Sequence, residues 1–367
     1  MAGTRHAADG PFPMSNVYSS LKPLHFADRL AVLAAGRLPA PVHVRIKPTN
    51  VCNHGCYFCA YRSDAVSLGD GMQVRDRIPA EKMQEIVEDL IAMQVKAVTF
   101  SGGGEPLIYP GFADTVTALG EAGIQVASLT NGSRLKGKVG DALATHATWV
   151  RVSIDGWDNA SYSAYRDVAD GEFDKVMANL AAFADRGSAC VLGASIIVDE
   201  RNAGHVAELC GKLKDAGVSH AKISPCIVSN DGAENNRYHA GFASVVHAQI
   251  AAARALDEDG FHVVNHYHDL PESFDKPYHG CPMAAMLTVI GADLTVYSCQ
   301  DKAYTTGGAL GSIADQRFAE FWYSPANARQ QAACDPARDC RHHCVADAKN
   351  RLLNDYLALD PDHLTFV

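Results

Sequence analysis

Between residues 43 and 227 the chain alternates short apolar runs with longer amphipathic ones. The apolar runs predict strands at 43–49, 95–101, 124–130, 148–154, 190–198 and 218–225. Helices are predicted between them, near 79–93, 112–122, 136–145, 172–186 and 202–216, with a sixth in 241–260. Pro79 followed by acids and an apolar stripe marks one helix start. Six strands alternating with helices mean a parallel sheet with right-handed crossovers. Six units rather than eight predict an α/β fold of the partial (β/α)6, TIM-like barrel type. Chemistry in such a fold collects at the carboxyl ends of the strands. After about residue 260 the texture changes: residues 262–281 are rich in His and Pro and read as a connector. Residues 287–299 then read as a hairpin turning near Ala292 and Asp293. Helices are expected at 316–332 and 345–358, with three cysteines in the loop between. The expected organisation is an N-terminal extension (1–42), a barrel core (43–235), a connecting helix and linker (236–280), a cysteine-rich module (281–358) and a tail (359–367).

Composition narrows the class. The 367 residues carry 32 Lys plus Arg against 42 Asp plus Glu, a net charge of −10, which argues against general charge-driven binding to nucleic acid. The longest apolar stretch, nine residues at 190–198, falls far short of the ~20 that a membrane helix needs. No signal-like apolar run opens the chain, so a cytoplasmic address is expected. There the 11 cysteines argue for metal or redox chemistry rather than disulfides.

Cys52, Cys56 and Cys59 fall on the loop after the first predicted strand. Three thiolates within eight residues can each take one iron of a cubane. Iron–sulfur clusters usually take four cysteines, so three leave one iron open to a ligand. A zinc site or incidental buried cysteines are the alternatives on spacing alone.

The CxxxCxxC loop, with Phe58 before its last cysteine, resembles the radical S-adenosylmethionine (radical SAM) superfamily. Further matches follow in order: SGGGEPL after the second strand, TNG ending the third, RVSIDG ending the fourth, and YRDVADGEF beyond it. The resemblance covers roughly 43–230 and implies that the three cysteines hold a 4Fe–4S cluster whose open iron binds S-adenosylmethionine. It further implies cofactor contacts from Phe58, Gly102, Gly103, Gly104, Glu105, Asn131, Ser153, Asp155, Arg166 and Ser195, with Ile197 nearby. Glycines at 102–104 would admit the ligand's amino group, Glu105 would balance its charge, Ser153 and Asp155 would hold the ribose, and Arg166 would pair with the carboxylate.

Cys281 and Cys299 flank the predicted hairpin, and Cys334, Cys340 and Cys344 follow. This resembles the SPASM module, or its shortened twitch form, and implies one auxiliary 4Fe–4S cluster; a zinc knuckle is the alternative. Cys190 and Cys210 read as core residues. Cys226, ending the sixth strand, is a candidate hydrogen donor. His262, His266, His268, His279, His342 and His343 show no ligand spacing and read as connector or substrate contacts.

The resemblance implies hydrogen abstraction from unactivated carbon, with electrons from a flavodoxin- or ferredoxin-type partner. Only about 42 residues precede the first strand, too few for a peptide-recognition domain of typical size. A small polar metabolite is therefore expected, a sugar or aminocyclitol alcohol oxidised with the auxiliary cluster as electron acceptor. Epimerisation with a cysteine donor and peptide maturation are the alternatives.

Overall fold

The computed structural model describes residues 18–62, 69–270 and 274–366. Most of the expected N-terminal extension, residues 1–17, lies outside them, as do 271–273 of the connector and residue 367 of the tail. Six strands, β1 (His43–Ile46), β2 (Ala97–Phe100), β3 (Gln125–Thr130), β4 (Ala147–Ser153), β5 (Val191–Val198) and β6 (His220–Pro225), pair in parallel and in sequence order. Helices cross over between them, among them Ala80–Ala92, Phe112–Glu121, Gly137–His146, Glu172–Ala184 and Val206–Asp215. The expected α/β, partial-barrel class is what forms.

Three features were not expected. The start of the His- and Pro-rich connector is a strand, β7 (His262–Asn265), parallel to β6. Its run is only four residues long, and Val263 is its one buried side chain, so periodicity carries little signal there. The hairpin forms as β8 (Leu287–Ile290) and β9 (Thr295–Tyr297), yet β8 also pairs in parallel with β1. With β10 (Ala309–Ser312) this gives one ten-stranded sheet, ordered β10-β9-β8-β1-β2-β3-β4-β5-β6-β7. Third, the helix expected over 316–332 is two, Phe318–Trp322 and Pro325–Ala332. Ser324 caps the second by accepting from the Asn327 N–H, and Pro325, lacking an N–H, starts it.

Strand periodicity sorts the two faces of the sheet. Val44, Ile46, Val98, Phe100, Val150, Val152, Ala194, Ile196 and Ile223 are essentially inaccessible and meet the helices in the main core. The intervening positions, such as His43, Arg45, Arg151, Ser153, Ser195 and Lys222, face the other way, into the barrel. The C-terminal part shares the core: Phe318, Phe321 and Trp322 join it, and Trp322 Nε1 donates to the Pro39 carbonyl at 2.8 Å. Arg317 and the Ala319 N–H both bind the buried Asp89 carboxylate of the first crossover helix. Among the described residues no helix is long and apolar enough to cross a membrane.

Trp322→Ala is expected to cost about 3–5 kcal/mol, read as a lowered urea midpoint for the whole chain in one transition. The inward-facing His43 is pushed down to about 3 by burial, then by Arg45 and Lys22. Unfolded histidine titrates near 6.5, so on acidification from that pH the unfolded state takes up the proton first and stability falls until pH reaches about 3. His43→Gln should therefore reduce the loss of stability between pH 6.5 and 5, a loss of up to about 1.4 kcal/mol per pH unit for one such group.

Candidate active site

The loops at the carboxyl ends of β1 to β4 enclose a cavity of about 210 Å³. Cys52, Cys56 and Cys59 line it from the loop after β1, with His54, Tyr61 and Arg62. Opposite stand Gly102, Gly103, Gly104 and Glu105 after β2, Thr130 and Asn131 ending β3, and Ser153 and Arg166. The sequence motifs thus converge on one space.

The three glycines are required by close approach to the chain itself. A Cβ on Gly103 would lie 2.2 Å from Asn50 Oδ1, and one on Gly104 would lie 2.0 Å from the Val51 carbonyl. The run is laced to the segment before the cysteines by Gly104 N–H to Thr49 O (3.0 Å) and Glu105 N–H to Val51 O (2.9 Å). These glycines thus also let two loops seat against each other and so place the cysteines.

Glu105 is buried and accepts from Thr130 Oγ1 at 2.6 Å, Asn131 N–H at 2.7 Å and Leu107 N–H at 3.0 Å. Burial raises its pKa, and these donors work against the rise. Asn131 in turn donates to Asn53 Oδ1 at 3.0 Å, and Asn53 donates to Ser133 Oγ at 2.9 Å, fastening the cysteine loop to the end of β3.

Asp155, fully buried, accepts from the Ile197 N–H at 2.7 Å and forms an ion pair with Arg166. Burial raises the Asp155 pKa against the pull of Arg166. Arg166 also donates to Ser153 Oγ at 3.0 Å and to Cys56 Sγ at 3.4 Å, and it lies over the Phe58 ring at 5.3 Å. Burial opposes its charge, but Asp155 and then Cys56 more than offset this and hold it charged. Ser153 and Asp155, expected at a ribose, are thus engaged with Arg166. Ser195 is the register partner of Ser153 on β5 but does not line the cavity, nor does Phe58. Cys226 is buried outside the cavity lining, and burial pushes its thiol up to about 12.

Cys281, Cys299, Cys334, Cys340 and Cys344 also assemble. Cys281 and Cys334 are in thiol–thiol contact, which favours the Cys334 thiolate, pulled down to about 7, at the expense of Cys281. Cys299 faces Cys344 and Cys340. Two lysines buried nearby supply positive charge, Lys302 toward Cys334 and Cys340, and Lys276 toward Cys340 and Cys344.

The first cavity fits the implied cofactors by its unmet polar groups. Both ring nitrogens of buried His54 and Nε of Arg166 have no partner among the described residues, although buried polar groups are normally paired. Nor do any three His, Cys, Asp or Glu groups among the described residues converge as a single-ion site would require. Sequence reasoning missed Asn53, His54 and Tyr61, which no motif letter marks, and Lys47. Lys47 is fully buried, donating to Tyr61 Oη at 2.7 Å and to the Gly102 carbonyl at 2.6 Å.

Residues 46–213 match the family described as the radical SAM superfamily. The mycofactocin maturase MftC of Mycobacterium tuberculosis is 30% identical over 172 residues, 47% of this chain and 41% of that protein. The GTP 3',8-cyclase of Synechococcus elongatus is 29% identical over 144 residues, 38% of this chain and 41% of that protein. The chain thus matches under half the length of these curated relatives. Among solved structures, Streptococcus suis SuiB bound to precursor peptide SuiA superposes with a TM-score of 0.60 at 16% identity, covering 89% of this chain and 77% of that one. The AdoMet-bound anSMEcpe gives 0.56 at 15% identity, covering 87% and 93%.

Gly103→Val must displace Asn50 and Met72, so the cysteine loop shifts. It is expected to weaken S-adenosylmethionine binding by tenfold or more in calorimetry, while Gly211→Ala, in open space on the helix Val206–Asp215, should leave affinity unchanged.

Proposed function

We propose, from the premise that residues 46–213 are a radical SAM domain, that this radical SAM enzyme modifies a peptide. The observation that carries the radical SAM chemistry of this reading is the cavity onto which the three cysteines, the glycine run and Arg166 all open. Cys52, Cys56 and Cys59 would hold three irons of a 4Fe–4S cluster and leave the fourth to the amino and carboxylate groups of S-adenosylmethionine. When bound, this pair supplies a one-electron cleavage that generates a hydrogen-abstracting species. Arg166 presents charge beside Cys56, and Asp155 holds it in place from the end of β4. Glu105 braces the glycine run against β3 and keeps an acceptor face toward the cavity. Asn131 and Ser153, which line the cavity, would face the remaining nucleoside end, with Phe58 and Ser195 outside its lining. Four of the five C-terminal cysteines would hold an auxiliary cluster whose negative charge Lys276 and Lys302 offset, and a flavodoxin- or ferredoxin-type protein would deliver electrons.

A peptide replaces the small polar metabolite expected from sequence. A maturase is among the sequence relatives, and SuiB and anSMEcpe have been solved with peptides bound. The sheet also supports this reading: among the described residues β10 and β7 end it without pairing to each other, and an open barrel would leave a lateral entrance for an extended chain.

Anaerobic reconstitution is expected to give about eight irons per chain, the sum of two cubanes, and about four after Cys52, Cys56 and Cys59 are changed together to Ala. The wild type should form 5′-deoxyadenosine with loss of hydrogen from a peptide in a peptide pool, and the triple variant should form none. Turnover confined to a sugar pool would overturn the peptide reading, and four irons with one zinc would overturn the auxiliary cluster.

A further inference from the structure

The barrel interior is cationic in a chain whose net charge is −10. Arg45 on β1, Arg151 on β4 and Lys222 on β6 all occupy the face opposite the apolar core, by strand parity with buried Val44, Val150 and Ala221. They cluster. Tyr18 accepts a hydrogen bond from Arg151 at 3.1 Å, lies 5.3 Å from the Lys222 ammonium at its ring centroid, and meets the His266 ring at 4.7 Å. Burial, then Arg151 and Arg45, lower Lys222 to about 8. Among the described residues none of the three cations has an ion pair, and Nε of Arg45 and Nε of Arg151 are buried with no hydrogen-bond partner. The acid that faces this group is Asp301, which acts on Arg45 and Lys47 and accepts from the Val345 N–H at 3.1 Å.

The three cations are half-buried, Asp301 acts on Arg45 among them, and the two buried Nε atoms find no partner among the described residues, so the group has donors to spare for an anion. Two guanidiniums and an ammonium on strands β1, β4 and β6 form a rigid, three-sided donor set suited to a carboxylate or phosphate. The inward face also leads up to the cavity, since Ser153 lies two residues beyond Arg151 on the same side of β4 and lines it.

We propose that Arg45, Arg151 and Lys222 seat a carboxylate of the substrate inside the barrel, below the radical-generating cavity. The proposal rests on the peptide reading for the source of that carboxylate.

The test is calorimetry on the full chain with acetyl-Gly-Glu-Gly-amide, its Gln counterpart and inorganic phosphate, on wild type and on Arg151→Gln and Lys222→Gln. The Glu peptide is expected to bind at least tenfold more tightly than the Gln peptide, with that preference lost in both variants. Arg151→Gln removes an uncompensated charge, so it should fold and melt no lower than wild type without ligand, which separates lost binding from lost structure. Phosphate binding without a Glu preference would overturn the carboxylate assignment and with it the peptide source, while keeping the three cations as an anion seat. If no probe binds, or if the variants respond as wild type does, the seat itself is refuted. The peptide reading would then still stand or fall on 5′-deoxyadenosine formation alone.

Discussion

Two carboxylates removed from water hold the carboxyl end of the sheet together. Glu105 and Asp155 are each almost wholly inaccessible, and an isolated buried carboxylate would cost far more than any one contact returns. Each is accommodated because strand ends supply donors to it. Glu105 takes two hydrogen bonds across the β2–β3 seam and a third from Leu107 in its own loop, and Asp155 takes the Ile197 N–H from β5 together with the Arg166 guanidinium. Charge-assisted bonds of this kind are worth about 1.5–3 kcal/mol each, and removing one partner exposes the full desolvation cost of the other. The loops therefore have little freedom to splay. Arg166, fixed by Asp155, reaches Cys56; Asn131, fixed through its N–H by Glu105, reaches Asn53 beside Cys52. The cysteine loop is thus positioned from two directions by charges it does not carry.

Much of this was legible in the chain. The six parallel strands follow from alternating apolar runs, and the cysteine, glycine and RVSID motifs named most of the cavity's lining. What stayed hidden has physical reasons. Strand β7 is too short to show a period, and the pairing of β8 with β1 joins residues more than 240 positions apart, which no local pattern encodes. The break at Ser324 was written as Ser-Pro, a start signal read as the interior of a longer helix. Glu105 was read as balancing the charge of an incoming amino group; its bonds to Thr130, Asn131 and Leu107, which brace the loop against β3, carry no mark in the sequence. The inward polar positions were visible as His43, Arg45 and Lys47 on alternate residues. In a parallel strand buried on both faces a polar alternation is unusual, and that was the available clue.

Substrate is where sequence and structure part most. From sequence a sugar or aminocyclitol alcohol was expected. The fold offers a different criterion: an unclosed sheet whose interior is lined with cations, and relatives that include a maturase. On the proposed reading, a peptide that enters partly and is held by an anionic group would suit these features.

The central claim is that the cysteine loop, the glycine run and Arg166 together form a seat in which S-adenosylmethionine meets an open iron. Electron paramagnetic resonance of the reduced, reconstituted protein tests it most directly, recorded with and without S-adenosylmethionine. Addition is expected to change the signal of one cluster and to leave the other as it was, with the change absent when Cys52, Cys56 and Cys59 are replaced. A spectrum that S-adenosylmethionine leaves unaltered would contradict it.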